Sequence, residues 1–410
     1  MKYIILLGDG MADYPLYELR GKTPLEYAHT PYMDMIASQG TLGMIDTIPA
    51  GFSPGSDVAI MTVLGYDPKQ YYTGRGPLEA ASMGLQLGDN DVVFRCNLVT
   101  LGGDKKNFME DFTAGHITTQ EARLIITSIN NELGSADFQF YPGLSYRHLF
   151  VWRDGKYLLE TTPPHDITGK AISDYLPRGG LGADQLINLM ERSQVILTDH
   201  PVNRLRTIEG KKPVSSIWLW GQGRTPKLEK LTDKYSLRGG MISAVDLLNG
   251  IGVCAGLKVI RVEGATGYTD TNYSAKARKA LDALKDMDFI FVHVEAPDEM
   301  GHEGNIGGKI EAIEDFDKKV IGTILNDIDS TGTFRLLVLS DHPTPISLRT
   351  HASDPSPFAV LSSDKNENLR NGSVFSESSA KRNGMVVSPG YYLIDHFIKN
   401  WREFIEKKPC

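Results

Sequence analysis

A chain of 410 residues holds enough material for two or three domains, and its 43 Lys and Arg against 51 Asp and Glu leave a net charge of −8. That acidic balance argues against nucleic acid as the main partner. With 41% hydrophobic and 23% charged residues the composition is that of an ordinary globular protein, and no apolar run reaches the ~18 residues of a membrane span. The three cysteines, Cys96, Cys254 and Cys410, are too scattered for a disulfide framework or a zinc knuckle, so a reducing cytoplasm is the expected compartment.

In chain order, Tyr3–Leu7 reads as a buried strand that ends at Gly8-Asp9-Gly10. Val58–Leu64 reads as a helix with Ser56 near its first turn. From about Asp91 to Gly223 the chain is rich in prolines, aromatics and alternating runs such as Leu149-Phe150-Val151-Trp152 and Ser216-Ile217-Trp218-Leu219-Trp220, which suits an inserted α+β domain. Ser274–Leu284 has a helical composition. Phe289–Val294 is a strand running into Glu295-Ala296-Pro297-Asp298, and Lys309–Leu325 carries Ile310, Ile313, Phe316, Val320 and Ile324 at helical spacing. Leu336–Leu339 is a strand before Ser340-Asp341-His342-Pro343, and Ile346–Thr350 another before His351. Ser362–Asn383, rich in Ser, Asn and Lys, reads as an exposed excursion. Leu393, Phe397 and Trp401 recur every four residues in a helix opened by Ser388-Pro389. Alternating strands and helices imply an α/β open sheet with helices on both faces. It spans residues 1–90 and 224–410, and the insert spans 91–223, with hinges near 87–91 and 223–226.

In open α/β sheets ligands sit beyond the carboxyl ends of the strands. Six residues of metal-ligand type stand at such ends: Asp9, Asp298, His302, Asp341, His342 and His351. Asp298 and His302 are four apart, so on a helix they share a face. Carboxylate and imidazole without thiolate suit Mn²⁺, Zn²⁺ or Mg²⁺, and six ligands are enough for two sites. Each residue alone is more simply a turn or cap residue. Their joint placement is what points to metal.

Ser56 stands where free backbone N–H groups at a helix start favour an anion such as phosphate. A serine becomes a nucleophile only when a base or metal takes its proton. Its competing role is a helix cap.

Eleven motifs occur in order: Asp9-Gly10-Met11, Pro54-Gly55-Ser56-Asp57, Gly74-Arg75-Gly76-Pro77-Leu78-Glu79, Phe94-Arg95-Cys96-Asn97, Ala114-Gly115-His116, Pro163-Pro164-His165-Asp166, Trp218-Leu219-Trp220-Gly221, Gly264-Ala265-Thr266-Gly267, Ala296-Pro297-Asp298-Glu299, Gly301-His302-Glu303-Gly304 and Asp341-His342-Pro343-Thr344-Pro345. Over residues 1 to about 395 the chain resembles the archaeal-type 2,3-bisphosphoglycerate-independent phosphoglycerate mutases of the alkaline phosphatase superfamily. The resemblance implies two divalent metal ions, Mn²⁺ or Zn²⁺ with Mg²⁺ as a third candidate. Asp9, Ser56, Asp341 and His342 would hold one, and Asp298, His302 and His351 the other. It implies Ser56 as a phosphorylated nucleophile that relays phosphate between the 3- and 2-oxygens of glycerate, a step of glycolysis and gluconeogenesis.

The insert would then be a substrate lid. Its polar residues Arg95, Asn97, Asp111, His116, Arg147, His148, Asp166, His200, Asn203 and Arg206, with Arg224 at its edge, include the anchors for phosphate and carboxylate. By family motif His116 is the first of these as a catalytic residue. Asp111 and Asp166 both remain open as the group that moves the proton. The segment around Lys234 and Arg238 resembles the one that gives a cation to the phosphoryl group. The partner implied is a small phosphorylated carboxylate, with no nucleic acid and no membrane, and the sequence carries no reading of oligomeric state. Rival readings on the same scaffold are a kinase acting on a small amino-acid alcohol such as homoserine, a metal-dependent phosphatase, and a binding protein that keeps a silent fold.

Overall fold

The computed structural model describes residues 1–103, 107–370 and 373–407. Cys410 and positions 371 and 372 of the expected excursion lie outside them. Contacts divide the chain into two compact units, Met1–Tyr72 with Lys227–Cys410, and Thr73–Pro226. In chain order the described strands are β1 (Lys2–Gly8), β2 (Thr41–Ile45), β3 (Val92–Gly102), β4 (Phe108–Asp111), β5 (Phe138–Leu144), β6 (Arg147–Trp152) and β7 (Ser216–Gly223). They continue with β8 (Gly239–Ile242), β9 (Lys258–Val259), β10 (Phe289–Val294), β11 (Phe334–Ser340), β12 (Ser356–Ser362) and β13 (Val386–Val387).

The discontinuous unit is built on a sheet of order β13-β2-β12-β11-β1-β10-β8-β9. Every neighbouring pair is parallel except those made by β12, which runs against both β11 and β2. β1 lies between β10 and β11, with Leu7 level with both His293 and Leu339, so these three carboxyl ends form one edge. These central strands are mainly apolar because both faces are covered, with Arg335 and His293 as buried polar exceptions. Ile4, Leu6, Ile290, Val292, Leu336 and Val338 join one core with helices Tyr273–Leu284 and Ile306–Asp315. The second helix continues through a π-helical turn at Phe316–Ile321 into Gly322–Asp327, and so fills the expected Lys309–Leu325 pattern. On the other face the Tyr3 ring meets Phe397 edge-on at 5.7 Å, which docks the C-terminal helical segment. Leu393, Phe397 and Trp401 are all buried there.

Two local expectations differ. Ile346–Thr350 forms turns, because Pro343 and Pro345 leave no room for a continuing strand. The expected excursion holds a helix, Glu377–Asn383, whose Ser376 side chain accepts from the Ser379 N–H. Phe375, Glu377, Ser379 and Ala380 are buried.

The unit Thr73–Pro226 carries an antiparallel sheet of order β4-β3-β6-β5, with β7 also paired to β3. Helices Thr119–Leu133 and Ala183–Thr198 bury their apolar stripes in its core. The unit starts earlier than the expected 91 because helix Arg75–Ser82 packs on β3 and β7, with Ala80 buried beside Val93, Leu149 and Val151. Among the described residues no helix is long and apolar enough to cross a membrane.

Candidate active site

The carboxyl edge of the central strands gathers all six expected ligands. Asp9 follows β1, and its N–H donates to the Val294 carbonyl at 2.9 Å. Gly10 takes a left-handed φ of 57°, and a Cβ there would collide with the side chains of Asp298 and Thr344, so only glycine fits between Asp9 and its neighbours. Asp341 Oδ1 accepts from the N–H of Gly10 at 3.1 Å and of His342 at 2.9 Å. Asp298 stands in the first turn of the helix Ala296–Glu303, opened by Pro297, and His302 in its last turn. His302 Nε2 lies 3.2 Å from Asp298 Oδ2 and 2.9 Å from His351 Nε2. His351 reaches the site from the turn after Pro345, 3.5 Å from Asp298 Oδ1.

Ligand atoms of Asp9, Asp341 and His342 lie within 4.8 Å of one another, and so do those of Asp298, His342 and His351. His342 therefore stands between two groups. Asp9, Asp341 and His342 are fully buried, Asp298 is 3% exposed, and His302 and His351 are partly open. Burial, with Asp341, Glu295 and Asp298 adding to it, drives the Asp9 carboxyl well above its ordinary pKa. Asp298 moves the other way: burial opposes ionisation, but hydrogen bonds from His302 and His351 hold it well below the carboxylate range. The Asp298 hydrogen bond in turn raises His302 to about 9.

Ser56 is the first residue of the helix Ser56–Val63, whose N-cap is Gly55. Its Oγ lies 3.4 Å from Asp9 Oδ1 and 3.3 Å from His342 Nε2. The cap reading for this serine is therefore excluded. Next to it the buried Asp57 accepts from the Tyr72 hydroxyl at 2.5 Å.

A buried tie fixes the loops that carry these groups. The Lys309 ammonium, fully buried, donates to the carbonyls of Ala12 and Thr344 at 3.2 and 2.8 Å and to Asp13 Oδ2 at 2.7 Å. Thr344 Oγ1 donates to Asp298 Oδ1. One ammonium thus links the loop after Asp9 to the loop after His342.

In the unit Thr73–Pro226 the expected residues divide. Arg95 lies over the Trp220 ring at 4.5 Å and pairs with Glu79 at 3.1 Å, and its Nε is buried without a hydrogen-bond partner. Burial depresses its pKa; Glu79 opposes this, and repulsion from Arg75 and Arg147 adds to it. Arg147 is exposed, with its guanidinium 5.7 Å from the Tyr146 ring centroid. His116 is exposed at φ 49°, its N–H bonded to Thr113 Oγ1. Asp166 is exposed beside His165 at 3.5 Å. Asp111 accepts from the Thr113 N–H and hydroxyl and pairs with Lys212 at 3.2 Å. Burial pushes its pKa up, but these partners hold it below the ordinary value.

Several expectations are corrected. Arg206 is 1% exposed and its donors are taken by the Lys212 carbonyl, Glu121 and the Ala114 carbonyl, so it braces the loop before His116 and has no open face for a substrate. Arg238 precedes β8, level with Asp288 before β10, and pairs with it at 3.7 Å. That is the amino edge of the sheet, opposite the ligands. Lys234 pairs with Asp395 at 3.1 Å, an ion pair that does not contradict its expected role as a cation for the phosphoryl group. Asn203 holds the carbonyls of Leu197 and Val214, His148 accepts from the Gly143 N–H, and His200 caps its helix.

Three residues were missed. His293 and Glu295 form a third group with Asp9. The signal was there: His293 is the one polar residue in the run Phe289–Val294, and Glu295 is the first residue past it. His165 is the third: its ring meets Trp220 at 5.4 Å, a contact between residues far apart in the chain that leaves no local signal.

The family model described as 2,3-bisphosphoglycerate-independent phosphoglycerate mutase matches residues 37–203. A Geobacter sulfurreducens protein described as a probable 2,3-bisphosphoglycerate-independent phosphoglycerate mutase is 52% identical over 396 residues, 96% of this chain and 99% of that one. The Methanosarcina barkeri 2,3-bisphosphoglycerate-independent phosphoglycerate mutase is 52% identical over 401 residues, 97% of this chain and all of its own. Among solved structures, the cofactor-independent phosphoglycerate mutase of Thermoplasma acidophilum superposes with a TM-score of 0.66 at 26% identity, covering 97% of this chain and 99% of that one.

Proposed function

Because this chain belongs to the 2,3-bisphosphoglycerate-independent phosphoglycerate mutase family, we propose that it moves phosphate between the 3- and 2-oxygens of glycerate through a phosphoserine on Ser56. The activity itself, phosphoglycerate mutation without 2,3-bisphosphoglycerate, follows from relatives about half identical over nearly the whole chain, which favours it over the kinase and phosphatase readings. The observation that carries the covalent route is the position of Ser56 Oγ, 3.3 Å from His342 and 3.4 Å from Asp9.

The donor set fits divalent ions. It is all oxygen and imidazole nitrogen, and the buried Asp341 Oδ2 has no hydrogen-bond partner among the described residues. Asp9, Ser56, Asp341 and His342 would hold one ion, and Asp298, His302 and His351 another. Such ions, when bound, stabilise charge on phosphoryl oxygens and ease loss of a hydroxyl proton.

The chain's own residues set the geometry. Asp9 Oδ1 offers an acceptor to the Ser56 hydroxyl at 3.4 Å, and His342 Nε2 flanks the same oxygen at 3.3 Å, which fixes where Oγ stands. Ser56 gives up its hydroxyl proton as the bond from Oγ to phosphorus forms and the bond from phosphorus to the substrate's 3-oxygen breaks, and that oxygen takes up a proton in exchange. In the return step the 2-hydroxyl attacks the phosphoserine and gives up its proton, the bond from phosphorus to Oγ breaks, and Ser56 takes a proton back. The unit Thr73–Pro226 is proposed as the lid that keeps water from the phosphoserine. It offers Arg75, Arg95 and Arg147 as cations for an anionic substrate, with His116, Asp166 or Asp111 to carry the proton. Enzyme quenched during turnover of 3-phosphoglycerate should carry phosphate on the peptide containing Ser56. Turnover with no phosphoenzyme in single-turnover traps would end the covalent route.

A further inference from the structure

His293 lies inside β10 and is fully buried, in an otherwise apolar run. A buried imidazole is costly unless both nitrogens are satisfied. Its Nε2 lies 2.8 Å from Asp9 Oδ2, and its Nδ1 lies 3.2 Å from Ser243 Oγ. Ser243 Oγ accepts the Val245 N–H at 3.0 Å and keeps its own proton to give to Nδ1. The ring proton then sits on Nε2 and points at Asp9. The opposite tautomer would set a lone pair against two carboxylates, since Glu295 Oε2 is 3.3 Å from the same nitrogen. The buried Lys276 ammonium donates to the His293 carbonyl at 3.1 Å and holds the strand end in place.

We propose that His293 is a positioning residue for Asp9. By occupying Oδ2 it leaves only Oδ1 to face Ser56 and His342, both 3.4 Å away, so that Asp9 presents one oxygen to the ion and to the nucleophile. A hydrogen-bond partner behind a ligand fixes the ligand's orientation and basicity, and its loss lowers metal affinity by about 10–100-fold. The inference rests on the reading of Asp9 as a metal ligand.

The test is Mn²⁺ titration of the full chain, with free Mn²⁺ read by electron paramagnetic resonance, on wild type, His293→Gln, His293→Leu, Ser243→Ala and Asp9→Asn. His293→Gln, which keeps a donor near the position of Nε2, should hold Mn²⁺ within about threefold of wild type. His293→Leu should weaken binding by about 10–100-fold, with turnover recovering as Mn²⁺ is raised. Ser243→Ala, which releases the tautomer, should weaken it severalfold, and it decides the matter if the leucine variant does not fold. Wild-type affinity in His293→Leu or in Ser243→Ala would overturn the proposal. So would equal loss in the Gln and Leu variants, or a Mn²⁺ equivalent absent from both, since the ring itself would then be a ligand. Unchanged binding in Asp9→Asn would instead remove the reading beneath it.

Discussion

The Nε2 atoms of His302 and His351 face each other across 2.9 Å, and both lie within 3.2–3.5 Å of an Asp298 oxygen. Two such nitrogens this close need a positive centre between them, either a proton or a metal ion. Without an ion the proton stays on His302, whose pKa the Asp298 hydrogen bond lifts from 6.5 to about 9.

The sign of the pH dependence follows. A histidine with a raised folded pKa stabilises the ion-free protein fully below about pH 6.5, and that contribution is lost as pH rises through about 9. Thermal scans of chelated wild type and His302→Gln should therefore converge between those limits. An ion must displace the same proton, so Mn²⁺ affinity should rise over this window. A pH indicator should record proton release on Mn²⁺ addition at pH 7.5. No release, or affinity flat with pH, would count against metal at this pair.

Glu377 predicts the reverse of a usual carboxylate. Burial raises its pKa from 4.5 to about 7, despite bonds from the Asp13 N–H and the Thr23 hydroxyl. The folded state then binds the proton more tightly than the unfolded state, so stability falls as pH rises from about 4.5 to 7. Glu377→Gln keeps an acceptor for Asp13 and a polar group for Thr23 without the charge. It should stabilise the protein by about 2–3 kcal/mol at pH 8 and by little at pH 5, read from urea midpoints.

Lys309→Met should lower stability by about 3–5 kcal/mol, because it strands a buried Asp13 and frees the carbonyls of Ala12 and Thr344. Adding Asp13→Asn should return part of that loss. A double-mutant cycle with additive effects would mean that the pair is not coupled.

Ser56→Ala should leave unfolding free energy within about 0.5 kcal/mol of wild type, because the helix N-cap is Gly55 and not Ser56. Turnover should fall by at least about 10³-fold. Near-normal turnover would point to direct transfer between bound substrates.

The clustering of the candidate ligands was legible because Asp9, Asp298 and the pair Asp341-His342 each come just after a short apolar run, and His302 lies one helical turn beyond Asp298. His351 was found by residue type although its carrier is a turn. Arg206 was misread because its partners, the carbonyls of Lys212 and Ala114, exist only once the loop is folded. Arg238 was misread because β8 is only Gly239–Ile242, too short to show which end of the sheet it marks. The helix at Glu377 was hidden by its polar composition, and the residues that bury it, Asp13 and Thr23, lie more than 350 positions away.

The placement of β1 in the sheet has a consequence for synthesis. Its partners are β10 and β11, with Tyr3 against Phe289 and Lys2 against Phe334. At ~5–20 residues per second, roughly 15–70 s pass between the making of Lys2 and of Phe334. In that interval β3 can already pair with β6 and β7, since Val92 meets Trp152 and Val99 meets Ser216. The nascent chain therefore carries a finished insert while Tyr3–Leu7 still waits outside the ribosome without neighbours. It is this first apolar strand, rather than any part of the insert, that a chaperone has most reason to hold.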